Sequence, residues 1–146
     1  MPASKSNGRG ASNANADTPV VAAAGKIKFF GENGDDFLEG AETDDWLKGK
    51  RGADTLAAGA GDDRLDGDDG DDALSGGDGN DLLRGGDGKD LLVGGDGSDT
   101  MEGGDGTDRV LYGQSYFDLA FADLGDGRYA ISDGTFTDLV KGVEEI

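Results

Sequence analysis

An aspartate recurs every nine residues through the middle of this chain: Asp36, Asp45, Asp54, Asp63, Asp72, Asp81, Asp90, Asp99 and Asp108. Two residues after each stands an apolar side chain, Leu38, Leu47, Leu56, Leu65, Leu74, Leu83, Leu92, Met101 or Val110. Two residues before each stands a glycine in eight of the nine cases, Thr43 being the exception. Carboxylates on so regular a spacing could do two kinds of chemistry. Stacked beside backbone carbonyls, they could hold a hard cation, which takes oxygen ligands. In tuned pairs they could share acid–base work, as glycosidase carboxylates do. No insertion that would build a pocket interrupts the run, which weighs against the second.

In frame, the segment from Gly31 to Leu111 is nine nonapeptides without a gap: GENGDDFLE, GAETDDWLK, GKRGADTLA, AGAGDDRLD, GDDGDDALS, GGDGNDLLR, GGDGKDLLV, GGDGSDTME and GGDGTDRVL. This pattern resembles the G-G-x-G-x-D-x-U-x repeat of the RTX, or hemolysin-type, calcium-binding family. The resemblance implies an all-β fold, a right-handed parallel β-roll. The first six residues of each repeat would form a calcium-binding turn. The last three would form a short strand with its eighth-place side chain inside, and two repeats would make one 18-residue turn of the roll.

The same resemblance implies the ligands. Turns 18 residues apart would share an ion, giving the pairs Asp36–Asp54, Asp45–Asp63, Asp54–Asp72, Asp63–Asp81, Asp72–Asp90, Asp81–Asp99 and Asp90–Asp108. Up to seven Ca2+ ions are expected. Around the Asp72–Asp90 ion, carbonyls would come from Asp68 and Gly70 below and from Gly85 and Asp87 above. Equivalent turn residues are Gly76, Gly77, Asp78 and Gly79, then Gly86 and Gly88, Gly94 and Asp96, and Gly103 and Asp105. Calcium takes six to eight oxygens at about 2.3–2.6 Å, and glycine lets a turn aim several carbonyls at one point. The N-terminal repeats depart from the pattern at Thr43, Lys50, Arg51 and Ala58, so the C-terminal sites are expected to be the tighter ones.

Composition sets the conditions. The chain of 146 residues is only 34% apolar and carries a net charge of −19. Residues 31–111 alone hold 24 acidic and 7 basic side chains. Like charges stacked along two edges repel, so a disordered chain is expected without calcium. There is no cysteine and no histidine, which removes disulfides, thiolate zinc sites and imidazole catalysis. No catalytic residue and no organic cofactor are expected, and the module reads as no enzyme in itself. The acidic surface argues against nucleic acid as a partner. No apolar run approaches a membrane span, and no cleavable signal is expected from the N-terminal residues.

The expected organisation is a disordered tail over 1–25, a capping strand over 26–30, the nine-repeat roll over 31–111 and a capping segment over 112–146. The tail after Leu111 resembles the segment closing many RTX domains, with Asp108, Val110 and Tyr112 followed by Thr137, Asp138, Val140, Gly142, Val143 and Glu144. A hairpin is expected between Tyr116–Ala122 and a strand beginning at Tyr129 and Ile131, with Phe136, Leu139, Val140, Val143 and Ile146 as a final apolar set. Open ends of repeat arrays fray, and the odd face at Leu91, Val93 and Leu111 is the expected docking surface. Such a protein is expected to be secreted, extracellular and exported by the type I route, as a monomer or part of a larger chain. A second function was weighed: a calcium-dependent module for an acidic polysaccharide, similar to alginate epimerase R-modules, with Trp46, Lys48, Arg64 and Arg84 as contact stripe.

Overall fold

The computed structural model describes residues 11–12, 20–21, 25–112, 120–125, 127–133 and 135–143. Among them there is no helix. The first strands are β1 (Ala11–Ser12), β2 (Val20–Val21), β3 (Lys28–Phe30) and β4 (Phe37–Glu39). The regular run is β5 (Trp46–Arg51), β6 (Thr55–Ala60), β7 (Arg64–Asp69), β8 (Ala73–Asp78), β9 (Leu82–Gly88), β10 (Leu91–Asp96), β11 (Thr100–Gly106) and β12 (Arg109–Val110). The last three are β13 (Ala120–Gly125), β14 (Arg128–Ser132) and β15 (Thr137–Lys141).

Successive strands alternate between two sheets. One runs β1-β3-β5-β7-β9-β11-β15-β14-β13, the other β12-β10-β8-β6-β4-β2. Pairing is parallel with an offset of 18 residues, as Leu47↔Leu65 and Leu56↔Leu74 show. This is the expected parallel β-roll, and its cause is the repeat itself. Apolar eighth-place residues meet at every rung of the repeats, so each local choice agrees with the stack.

The eighth-place side chains fill the narrow space between the sheets. Leu38, Leu56, Leu74, Leu92 and Val110 form one column, and Phe29, Leu47, Leu65, Leu83, Met101 and Val140 the other; all are buried. Each contributes about 1.5–3 kcal/mol by burial, an upper estimate because a real denatured chain is already partly compact.

From β5 to β11 the strands are longer than the expected three residues. They continue from the seventh place of one repeat to the third place of the next, so that Gly59 pairs with Gly77 and Gly86 with Gly104. Glycines without side chains let the backbones keep pairing distance into the turn.

At the two ends the structure adds detail. Phe29 continues the core column, and Lys28–Phe30 pairs with Trp46–Lys48 as one more rung. Ala11–Ser12 and Val20–Val21 extend the two sheets further; the rest of the N-terminal tail lies outside the described residues. At the other end the hairpin is Ala120–Gly125 against Arg128–Ser132. Its expected beginning at Tyr116, and Leu119, lie outside the described residues, as does Ile146. Ile131 and Phe136 of the segment share a cleft wall with Val93 and Leu111 of the odd face. Thr137–Lys141 joins the opposite sheet beside Thr100–Glu102 and leaves Leu111 47% exposed. The final apolar set accordingly splits: Val140 is buried, while Phe136 and Leu139 face solvent.

Candidate metal centre

Each sixth-place aspartate lies at the point where a turn enters a strand, and all nine are buried. Each of the seven expected pairs is joined in the same way. The backbone N–H of the earlier aspartate donates to Oδ1 of the later one, for example Asp54 to Asp72 at 2.8 Å and Asp72 to Asp90 at 2.9 Å. The other pairs span 2.6 to 2.9 Å. Two acidic edges result, one with Asp36, Asp54, Asp72, Asp90 and Asp108, the other with Asp45, Asp63, Asp81 and Asp99.

The second carboxylate oxygens separate the sites. Oδ2 of Asp36 accepts the Glu32 N–H at 2.9 Å, and Oδ2 of Asp45 accepts the Ala41 N–H at 2.8 Å. In Asp54, Asp63, Asp72, Asp81, Asp90 and Asp99 the Oδ2 atom is buried with no hydrogen-bond partner. A buried anionic oxygen without a donor is costly, so such a row calls for a compensating positive group. Burial pushes these carboxyls up in the calcium-free chain: Asp72 and Asp81 to about 7, Asp63, Asp90 and Asp99 to about 6, and Asp54 upward.

The turns supply the remaining oxygens. A Cβ built on Gly67 would strike Asp72 Oδ2 and lie 2.6 Å from the Gly85 carbonyl oxygen. The missing side chain thus leaves a cradle with a carboxylate on one wall and an upper-turn carbonyl on the other. Gly76 sits likewise beside Asp81 Oδ2 and the Gly94 carbonyl, Gly85 beside Asp90 Oδ2 and the Gly103 carbonyl, and Gly94 beside Asp99 Oδ2. Gly103 lies beside the Asp108 carboxylate. The Asp68 and Gly70 carbonyls point up the stack, against Gly86 and Gly88, and those of Gly59 and Gly77 point against Gly77 and Gly95. Gly79 similarly lies against the Gly61 carbonyl. Gly88 has φ +144°, a conformation closed to most L-residues, and a Cβ there would strike the Gly70 carbonyl.

The third-place residues behave differently. The Asp87 carbonyl accepts the Gly70 N–H at 2.8 Å, and those of Asp78 and Asp96 accept from Gly61 and Gly79, so one lone pair of each serves the ladder. Their side chains, with that of Asp105, are exposed and lie in register, Asp78 beside Asp96 and Asp87 beside Asp105. Among the described residues no three acidic side chains converge as a ready cage. The donor set is therefore mixed, two carboxylates per pair with carbonyls from two turns. That mixture suits a hard cation of high coordination number such as calcium.

Two features were not expected. Fifth-place side chains form an outer ladder, in which Asp35 accepts the Ala53 N–H, Asp62 that of Asn80, Asp71 that of Lys89 and Asn80 that of Ser98. Asp or Asn at the fifth place of those repeats was the available signal. The second is Asp138. Asp99 N–H donates to Asp138 Oδ1 at 2.9 Å, the same bond made across 39 residues instead of 18. Its signal was Asp138-x-Val140 followed by Gly142, a sixth, eighth and first place in repeat spacing.

The model of the family described as "RTX calcium-binding nonapeptide repeat" matches the chain in four copies, at residues 28–47, 39–74, 49–83 and 75–110. No curated protein matches the chain. Among solved structures, the extracellular lipase LipA from Serratia marcescens is similar at 15% identity and a TM-score of 0.22, over 88% of this chain and 40% of that one. The chain thus corresponds to 40% of that lipase chain's length.

Proposed function

The chain belongs to the RTX calcium-binding nonapeptide-repeat family, and from that membership we propose that it is the calcium-binding β-roll module of a secreted bacterial protein, folding on the ion after export by the type I route. The observation that carries this reading is the row of buried, unpartnered Oδ2 atoms from Asp54 to Asp99, each beside a glycine of its own turn except Asp63, whose turn has Ala58 at that place. The ions lie between stacked turns. For the Asp72–Asp90 pair the ligands are those two carboxylates with the carbonyls of Asp68, Gly70 and Gly85, and with the second lone pair of the Asp87 carbonyl. Calcium supplies the positive charge that the two edges lack. The protein's own part is to aim the oxygens and to keep the apolar columns in register. An ion that binds only the folded chain stabilises it in proportion to its concentration. Scarce calcium inside the cell then keeps the chain unfolded for passage, and abundant calcium outside folds it.

The polysaccharide reading has less support. Lys48 pairs with Asp68 at 2.7 Å, Arg64 with Asp66 at 2.9 Å and Arg84 with Glu102 at 3.6 Å. Trp46 is covered by Lys28 at 4.6 Å and Arg64 at 5.3 Å, meets Phe30 edge-on, and donates its indole N–H to Asp66. Asp66 itself is buried by these neighbours rather than turned outward. An acidic polymer would have to displace carboxylates already holding the cations.

Unequal sites test the proposal. Asp90→Asn removes charge from two pairs at a residue whose own Oδ2 lacks a donor, whereas Asp45 belongs to one pair and already has its Oδ2 satisfied by a backbone N–H. In a calcium titration followed by circular dichroism, Asp90→Asn should raise the folding midpoint clearly more than Asp45→Asn. Equal midpoints would contradict the assignment.

A further inference from the structure

The repeats end at Leu111, yet the even edge does not. After Asp99, the next sixth place on that edge would fall at residue 117. The chain instead leaves the roll and returns at Thr137, where Thr100 pairs with Leu139, Met101 with Val140 and Glu102 with Lys141. This register puts Asp138 at the missing sixth place, Val140 at the eighth and Gly142 above Gly103, whose Cβ would strike the Gly142 carbonyl. Asp138 and Asp99 are both buried, and the Asp99 N–H to Asp138 Oδ1 bond reproduces the pairing of the repeats.

Three oxygen groups meet there with too few donors. Asp99 Oδ2 is buried and unpartnered. The Tyr112 hydroxyl is also buried and faces the Asp138 carboxylate. The place is also reachable. A cleft of about 190 Å3 opens beside it, with Tyr112 and Asp138 in its wall together with Asp96 and Gly97. We propose that Asp99, the last repeat aspartate of the even edge, forms an additional calcium site with Asp138 and Tyr112, which lie outside the nonapeptide repeats, and that the site is completed only when the returning strand is in place. The inference rests on the calcium reading of the repeats. It extends that reading to residues beyond the reach of the repeat motif, and it couples closure of the roll's end to ion binding.

The test is calcium stoichiometry by isothermal titration on the full chain. Asp138→Asn keeps an acceptor for the Asp99 N–H and removes only the charge. It should bind one ion fewer than the parent chain while reaching the same far-UV signal at saturating calcium. Unchanged stoichiometry would overturn the proposal. A parent chain that binds no calcium would instead overturn the function from which it starts. If Asp138→Asn fails to fold at any calcium concentration, Tyr112→Phe decides the matter, because it keeps the ring and removes only the hydroxyl. Selective weakening of one site in that variant supports the proposal, and an isotherm identical to the parent's overturns it.

Discussion

Lys50 and Asp68 are the two non-glycine residues with positive φ among those described, at +92° and +79°. Both occupy the second place of a repeat, where the later repeats have Gly77, Gly86, Gly95 and Gly104, all with positive φ. An L-residue pays about 1–2 kcal/mol for a left-handed conformation. Lys50 recovers little through its exposed pair with Glu32 at 3.6 Å, since surface pairs are worth about 0–1 kcal/mol. Lys50→Gly should therefore stabilise the calcium-loaded roll by about 1 kcal/mol in a urea titration. The reverse exchange at a stacked turn should be costly. Gly88→Ala puts a Cβ against the Gly70 carbonyl at φ +144°, and a loss above about 1 kcal/mol is expected by the same measurement. Equal stabilities for the two variants would show that turn conformation is not what limits the N-terminal repeats.

At the scale of elements, the strand rungs were legible because the period places one apolar side chain in every rung and one aspartate at every turn exit. The seven aspartate pairs follow from the family resemblance, which stacks turns 18 residues apart. The length of the strands was less legible, because glycines read as turn residues while their backbones in fact continue the ladder. Asp138 was hidden for another reason: its rung is reached across 39 residues, and no periodicity survives such a detour. We assign to β15 and its hairpin the role of closing the roll, since Val140 and Ile131 extend the buried core where Met101 and Val110 would otherwise be open. Truncation after Tyr112 should accordingly raise the calcium midpoint for folding several-fold while leaving all nine repeats present. A truncated chain with the parent's midpoint would show that the repeats close themselves.

For the whole molecule, charge governs the balance. The carboxyls of Asp63, Asp72, Asp81, Asp90 and Asp99 titrate near 6 to 7 in the calcium-free roll and near their ordinary value of 3.8 when unfolded. The folded chain thus binds more protons than the unfolded chain between about pH 4 and 7, so lowering pH through that window stabilises the calcium-free fold. Calcium-free protein should show more β structure at about pH 5 than at pH 8, protons doing part of the work of the metal. A pH-independent calcium-free spectrum would contradict those burial-driven shifts. At neutral pH without metal, the net −19 and the narrow apolar columns leave the unfolded chain favoured. The most direct test of calcium-driven folding is the far-UV circular dichroism and Trp46 emission of the full chain at pH 7.5, in chelator and in calcium at about millimolar level. The account predicts a disordered spectrum with a solvent-exposed tryptophan in chelator, and a cooperative change to β structure, with Trp46 packed between Lys28 and Arg64, on adding calcium. Identical spectra in the two conditions would contradict it.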